Sequence, residues 1–133
     1  MREINAELKS GLAALLGEER VLSSPEDLTA YEYDASVKQF MPDLVVFPET
    51  AQEISAIVKL AARHSTPVVP RGSGTGLSGG CLPVNGGIVV ALAKMERILE
   101  IDLENRCAVV EPAVINLELS AALQQYGFFY APD

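Results

Sequence analysis

The segment Val68-Val-Pro-Arg-Gly-Ser-Gly-Thr-Gly-Leu-Ser-Gly-Gly80 places five of the ten glycines of the chain, Gly72, Gly74, Gly76, Gly79 and Gly80, within nine residues. Glycine is favoured where the backbone takes φ > 0 or lies close to another group, and it is poor in helix interiors. A β-branched pair, Val68-Val69, leads into the segment, and Ile88-Val89-Val90 follows it. A flexible linker pairs glycine with serine and lacks such apolar brackets. The segment therefore reads as a shaped bend between two strands. Consecutive N–H groups in such a bend can converge into an anion nest, for which phosphate is the usual occupant. The sequence places Arg71 as a permanent cation at the rim. Ser73 and Thr75 add hydroxyl donors. Each charge-assisted hydrogen bond to a phosphate oxygen contributes roughly 1.5–3 kcal/mol, so a few could hold a pyrophosphate.

Residues 74–79, Gly-Thr-Gly-Leu-Ser-Gly, match G-x-G-x-x-G, but the match alone is weak. A dinucleotide-binding loop of the Rossmann kind opens directly into a helix. Here Gly80-Cys-Leu-Pro-Val-Asn-Gly-Gly87 follows, and Pro83 with three more glycines forbids one. A Walker loop requires a lysine, and none lies between Lys59 and Lys94. What remains is strand, glycine-rich bend, irregular connection, strand.

Along the chain, Ile4, Leu8, Leu12, Leu15 and Leu16 have helical spacing, and Gly17 suits the stop. Ser24-Pro25-Glu26-Asp27 reads as N-cap, N1 proline and acidic first turn of a short helix presenting Leu28 and Tyr31. Tyr31-Glu-Tyr-Asp34 could line a cofactor edge, but packing of Tyr31 and Tyr33 against a sheet is the favoured reading. Leu44-Val-Val-Phe47, between Pro42 and Pro48, reads as a strand buried on both faces. Thr50 and Glu53 form a capping box for a helix whose apolar stripe is Ile54, Ile57, Val58 and Ala61. Pro67-Val68-Val69-Pro70 is the next strand. Strand, helix and strand within about 27 residues make a βαβ unit with parallel strands. The glycine bend then starts at the carboxyl end of a parallel strand, where open α/β sheets place ligands.

After residue 87 the pattern turns β-rich. Ile88–Leu92, Arg97–Asp102 and Cys107–Glu111 read as strands, with Asn105 in a tight turn. Asn116 is expected to cap a helix over Leu117–Gln125, closed by Tyr126-Gly127. Lys94, Glu96 and Arg97 read as a solvated surface cluster. Asp102 and Glu104 read as a polar turn rather than paired acid and base. The predicted fold class is α+β, a small βαβ lobe over residues 1–82 followed by the start of a mostly antiparallel lobe over 88–133.

A length of 133 residues fits one domain, and 49% hydrophobic content excludes a disordered chain. The net charge of −8 argues against a nucleic-acid backbone or an anionic membrane surface as partner. No apolar run approaches the roughly 20 residues of a membrane span, and the charged N-terminus lacks a signal-peptide core. Cys81 and Cys107 have no metal-binding spacing, and no metal site is expected. Cys81 reads as a small buried filler beside the glycine bend, and Cys107 as core. The single histidine, His64, reads as a charge partner at a helix C-terminus.

The segment Pro70–Gly80 resembles the pyrophosphate loop of the FAD-linked oxidases of the vanillyl-alcohol-oxidase (PCMH) type. The nearest branch contains the bacterial glycolate oxidase D subunit and the D-lactate and D-2-hydroxyglutarate dehydrogenases. Pro42–Pro48 resembles the first core strand of that family, and Thr50–Ile54 the start of the next helix. Leu99–Arg106 resembles a family hairpin, and Phe128–Asp133 the run leading into a Pro-Ser-Ser flavin contact. The chain has Ala113 where members usually carry glycine, and Asp133 comes before the Pro-Ser-Ser. The rest of the family's flavin domain and its substrate domain have no counterpart within residues 1–133.

The resemblance implies a PCMH-type FAD-binding domain, with FAD lying between two lobes and its pyrophosphate on the glycine loop. It assigns Arg71, Gly72, Ser73, Gly74, Thr75 and Gly76 to that role, then Ser78 and Gly79, with Tyr130 and Pro132 near the flavin edge. Members with a histidyl–flavin bond carry histidine where Thr75 stands, so non-covalent FAD is expected. The implied reaction is oxidation of a small 2-hydroxy acid, with hydride passing to the flavin. No catalytic base is found within residues 1–133, which alone are expected to be inactive. A stand-alone nucleotide-binding or interaction module without redox activity is the alternative. The implied location is cytoplasmic, with partner subunits of an oxidase complex as a route to the inner membrane.

Overall fold

The computed structural model describes residues 5–132 and divides into two compact units, Met1–Lys94 and Met95–Asp133. Ile4 and Asp133, both used in the sequence analysis, lie outside the described residues.

In the first unit, helix α1 (Ala6–Leu16) starts at Asn5, whose side chain accepts the amide protons of Glu7 and Leu8. It stops at Gly17, whose φ of 94° favours glycine. Leu8, Leu12 and Leu16 are buried, whereas Leu15 is partly exposed. Strand β1 (Val21–Leu22) precedes a short helix, α2 (Pro25–Leu28), which is capped by Ser24. Strand β2 (Leu44–Val46) is buried throughout, as its unbroken apolar run suggests. Helix α3 (Ala51–Arg63) begins at Thr50, whose hydroxyl accepts from Glu53 N. Glu53 returns the bond one residue early, to Glu49 N rather than to the cap residue. Ile57 and Ala61 of α3 are buried, but Val58, expected in its stripe, is 46% exposed.

Strand β3 (Val68–Arg71) and strand β4 (Ile88–Ala91) complete a sheet of order β1-β2-β4-β3. Strand β4 pairs in parallel with both β2 and β3. This corrects the expectation that Ile88–Leu92 opens the antiparallel lobe: it is an inner strand of the first sheet. The reason lies at Gly87. Its amide donates to Asp43 Oδ2 at 2.7 Å, its carbonyl accepts from Asp43 N and Leu44 N, and Ile88 N donates to Pro67 O at 2.8 Å. The start of β4 is thereby fixed between the starts of β2 and β3. With φ at 89° and Pro67 O where a Cβ would go, only glycine fits.

Alternation along the strands feeds two apolar clusters. Leu44, Val46, Ile88 and Val90 pack with α1 and α3 on one face. Val45, Val89 and Ala91 pack with Leu28 on the other, with Tyr31, Phe47 and Val69 at the margin. Tyr31 meets Phe47 edge-on at 5.9 Å. Tyr33, expected to pack likewise, is 48% exposed. Residues 72–87 form the crossover between the parallel strands β3 and β4, a place usually taken by a helix.

The second unit holds an antiparallel pair, β5 (Ile98–Asp102) and β6 (Cys107–Val110), and a helix, α4 (Asn116–Gln124). Asp102 closes the hairpin by accepting from Asn105 N at 2.9 Å and from Asn105 Nδ2 at 2.6 Å. Arg106 takes the left-handed conformation that completes the turn. Cys107 is exposed rather than core. Asn116 is the first residue of α4 and makes no cap bond; Ile115 holds the cap position. Ala113 keeps a negative φ and donates its amide to Met95 O at 2.8 Å, so this turn accommodates alanine without strain. Among the described residues no helix is long and apolar enough to cross a membrane.

Candidate functional site: the glycine crossover

Strand β3 delivers the crossover at its carboxyl end, and Arg71 is its last residue. Charge alone predicts Arg71 at the rim, but its side chain is buried, at 6% exposure. Nη1 donates to Tyr33 O at 2.7 Å and to Cys81 Sγ at 3.4 Å, and the guanidinium lies 5.6 Å from the Tyr31 ring centroid. An arginine in this setting combines hydrogen bonding with a cation–π contact. The cation is a support beneath the bend. Gly74, with φ at 75°, lies against it, and a Cβ there would overlap Nη2. Cys81 is half-buried, a neighbour of the guanidinium more than a filler.

The outer side of the bend is open. A Cβ on Gly72, Gly76 or Gly80 would meet nothing within 4 Å. Ser73, Thr75 and Ser78 are exposed, with the hydroxyls of Ser73 and Thr75 3.1 Å apart. Among the described residues, no protein group accepts a hydrogen bond from the amides of residues 72–78. Ser73 and Ser78 have negative φ, while Gly74 and Gly79 are positive at 75° and 77°. That alternation of sign is the backbone pattern that turns neighbouring amides towards one point. An open, donor-rich, glycine-lined surface fits the pyrophosphate of a dinucleotide: a cradle of N–H groups, two hydroxyls and a cation behind.

Gly79 differs from its neighbours, because its amide is already taken by Asp34 Oδ2 at 3.1 Å. Asp34, the last residue of the Tyr31-Glu-Tyr-Asp34 segment, is 5% exposed and also accepts from Ser36 N at 2.7 Å. Hydrogen bonds from Ser36 and from the Gly79 amide hold its carboxyl below the usual carboxylate range. Ala35 N donates to Gly76 O at 3.1 Å. No local signal marks Asp34. Its partner in the bend, the Gly79 amide, lies 45 residues further on.

Tyr130 and Pro132 belong to the second unit, where both are exposed. Tyr130 is held through its backbone, N donating to Ser120 Oγ at 3.1 Å and O accepting from the same hydroxyl at 3.3 Å. With Phe128 and Phe129 it lines an apolar groove of about 470 Å³ bounded by Ile101, Val110 and Leu119. His64 is the C-cap of α3, with Nδ1 3.0 Å from Asn5 Nδ2. The charges read as one surface cluster separate into pairs: Lys94 with Glu49, and Arg97 with the buried Glu111. Among the described residues no group of acidic, histidine or cysteine side chains has the arrangement of a metal site.

Residues 42–133 match the family described as FAD binding domain. The chain is 43% identical over 131 residues to the glycolate oxidase subunit GlcD of Bacillus subtilis, covering 98% of this chain and 28% of the relative. It is 35% identical over 124 residues to a D-2-hydroxyglutarate dehydrogenase of Stutzerimonas stutzeri, covering 92% of this chain and 26% of the relative. Among solved structures, p-cresol methylhydroxylase with substrate bound superposes with a TM-score of 0.80 at 27% identity, over 91% of this chain and 24% of that one. The chain thus spans about a quarter of the length of the proteins it matches.

Proposed function

Because the chain belongs to the FAD binding domain family, we propose that residues 71–78 seat the FAD pyrophosphate in a flavin-dependent oxidoreductase acting on a small 2-hydroxy acid. The observation that carries this reading is the run of amides, residues 72–78, with no acceptor among the described residues, on an open, glycine-lined surface. Main-chain N–H groups of Gly72 to Gly76 would bind phosphate oxygens, and the hydroxyls of Ser73 and Thr75 would add donors. Arg71 would contribute its charge from beneath the loop. Gly79 serves the loop through Asp34. Tyr130 and Pro132 remain candidates for the flavin edge.

FAD, when bound, accepts the hydride removed from substrate. The residues of this chain bind and orient it. The single histidine, His64, caps α3 and lies 3.0 Å from Asn5 Nδ2. The base and a carboxylate clamp would come from the rest of the protein. Support for the substrate class comes from relatives named for glycolate and for D-2-hydroxyglutarate, both 2-hydroxy acids. One of these is named as a subunit, which favours association with further subunits. A cytoplasmic location agrees with this reading.

The test is FAD titration of the full-length protein and its Gly76→Val variant, followed by anaerobic mixing with glycolate, D-lactate and D-2-hydroxyglutarate. Loss of FAD binding in the variant and bleaching of the flavin absorbance by at least one acid are expected. Retention of FAD by the variant would remove the assignment of the loop, and absence of bleaching by all three acids would remove the substrate class.

A further inference from the structure

The bend of residues 72–80 is held in shape from outside its own sequence. Asp34 is 5% exposed and its carboxylate is divided between two amides: Oδ1 accepts from Ser36 N at 2.7 Å, and Oδ2 from Gly79 N at 3.1 Å. The next residue, Ala35, donates its amide to Gly76 O at 3.1 Å. Tyr33, just before, gives its carbonyl to Arg71 Nη1 at 2.7 Å. Residues 33–35 thus grip the bend at its root, at its middle and near its far end. A buried carboxylate is costly unless its acceptor sites are filled. Here they are filled by amides, one of them the loop's own.

We propose that Asp34 is a positioning residue for the flavin pyrophosphate: by holding Gly79, with Ala35 holding Gly76, it presets the bend in the shape that leaves the amides of residues 72–78 without an acceptor among the described residues. The proposal rests on the reading of the bend as the pyrophosphate seat. Adjacent N–H groups aligned on one side repel each other, and a loose loop would turn them apart towards water. Ordering such a loop at the moment of binding lowers the apparent affinity in proportion to the fraction of molecules already in the competent shape. Asp34 moves that cost into folding. It acts through the Gly79 amide, which it holds at 3.1 Å. The hydrogen bonds that hold its carboxyl below the usual range keep it an acceptor throughout the neutral region.

A purely structural Asp34 and a positioning Asp34 differ in what they do to ligands with and without phosphate. The experiment uses the full-length protein and compares FAD with riboflavin, which carries the same ring system without phosphate, in the native sequence and in Asp34→Ala and Asp34→Asn. We expect Asp34→Ala to raise the FAD dissociation constant about tenfold or more, with riboflavin affinity unchanged. Asp34→Asn, which keeps one acceptor oxygen, should fall between. Amide hydrogen exchange at Gly79 in the flavin-free protein should quicken in both variants. Should Asp34→Ala not fold, Asp34→Asn and the exchange rate carry the test. Equal weakening of FAD and riboflavin would overturn the proposal, as would unchanged FAD affinity in a variant whose Gly79 amide exchanges faster. Gly76→Val separates the two levels. If it loses FAD while the Asp34 variants bind normally, the seat stands and the tether falls; if it retains FAD, the seat falls and takes the tether with it.

Discussion

The guanidinium of Arg71 occupies the space that a side chain on Gly74 would need. Cation and glycine are therefore one device: the bend passes over the arginine because residue 74 has no Cβ and takes φ at 75°. Gly76 is the contrast, with negative φ and nothing within 4 Å of a Cβ. Gly74→Ala should lower stability by about 1–2 kcal/mol for the left-handed backbone alone, and further by displacing Arg71 from Tyr33 O. Gly76→Ala should leave the melting temperature unchanged and weaken FAD binding only. Thermal melting of the flavin-free protein beside FAD titration reads both effects. Equal melting temperatures for the two variants would contradict the assignment of Gly74 as a support position.

How much of this was legible in the sequence depends on range. The bend, the caps at Ser24 and Thr50 and the Asp102–Asn105 turn are local, and each has a residue signature that the structure bears out. Strand β4 belongs to the first sheet, against the sequence expectation, because its parallel pairing with both β2 and β3 joins segments that no local period connects. Arg71 was placed at the rim because charge alone suggests solvent; its partners, Tyr31, Tyr33 and Cys81, come from two other segments. Asp34 carried no signal, since its meaning lies in an amide 45 residues away. Cys107 was read as core from an apolar strand, but a two-stranded sheet leaves much of its surface open.

Acid should loosen the second unit through Glu111. Its carboxylate is buried and accepts from Arg97 N at 2.8 Å, Nε at 3.1 Å and Nη2 at 2.7 Å. The Arg97 guanidinium, then its amide, hold the Glu111 pKa below the ordinary value. A group depressed on folding contributes its full stabilisation above the unfolded glutamate pKa, about 4.3. That contribution is lost as pH falls through the lower, folded value. Glu111→Gln should therefore lower the urea midpoint at pH 7, and the gap from the native sequence should close in acid. Hydrogen exchange along β5 and β6 localises the effect. A gap that persists at a pH below the folded value would mean that packing, not charge, sets the role of Glu111.

The flavin should come away from the protein without bond cleavage. The resemblance of Pro70–Gly80 to the FAD-linked oxidases would put Thr75 where members with a histidyl–flavin bond carry histidine, and a threonine hydroxyl lacks the nucleophilic nitrogen. His64 caps α3 and is held by Asn5. Acid precipitation of the flavin-loaded full-length protein is expected to release all the yellow colour to the supernatant. Flavin that stays in the washed, denatured pellet would show a covalent link and would require a different attachment residue.

Gly87 should be among the least replaceable residues of the first unit, although it lies outside the glycine bend of residues 72–80. It starts β4 in the inner position of the sheet, with φ at 89° and the Pro67 carbonyl where a Cβ would stand. Its amide and carbonyl are both engaged with the start of β2. Gly87→Ala would impose the left-handed cost of about 1–2 kcal/mol and also force β3 away from β4, breaking the Ile88 N to Pro67 O bond. Against a total stability of about 5–15 kcal/mol for a domain, such a loss is large. Gly72→Ala, with open space at its Cβ and a negative φ, controls for the substitution itself. Urea denaturation should place Gly87→Ala well below both the native sequence and Gly72→Ala. Coincident midpoints for the two variants would mean that β4 can enter the sheet without a glycine at its start, and that its inner place is set by Ile88, Val89 and Val90 alone.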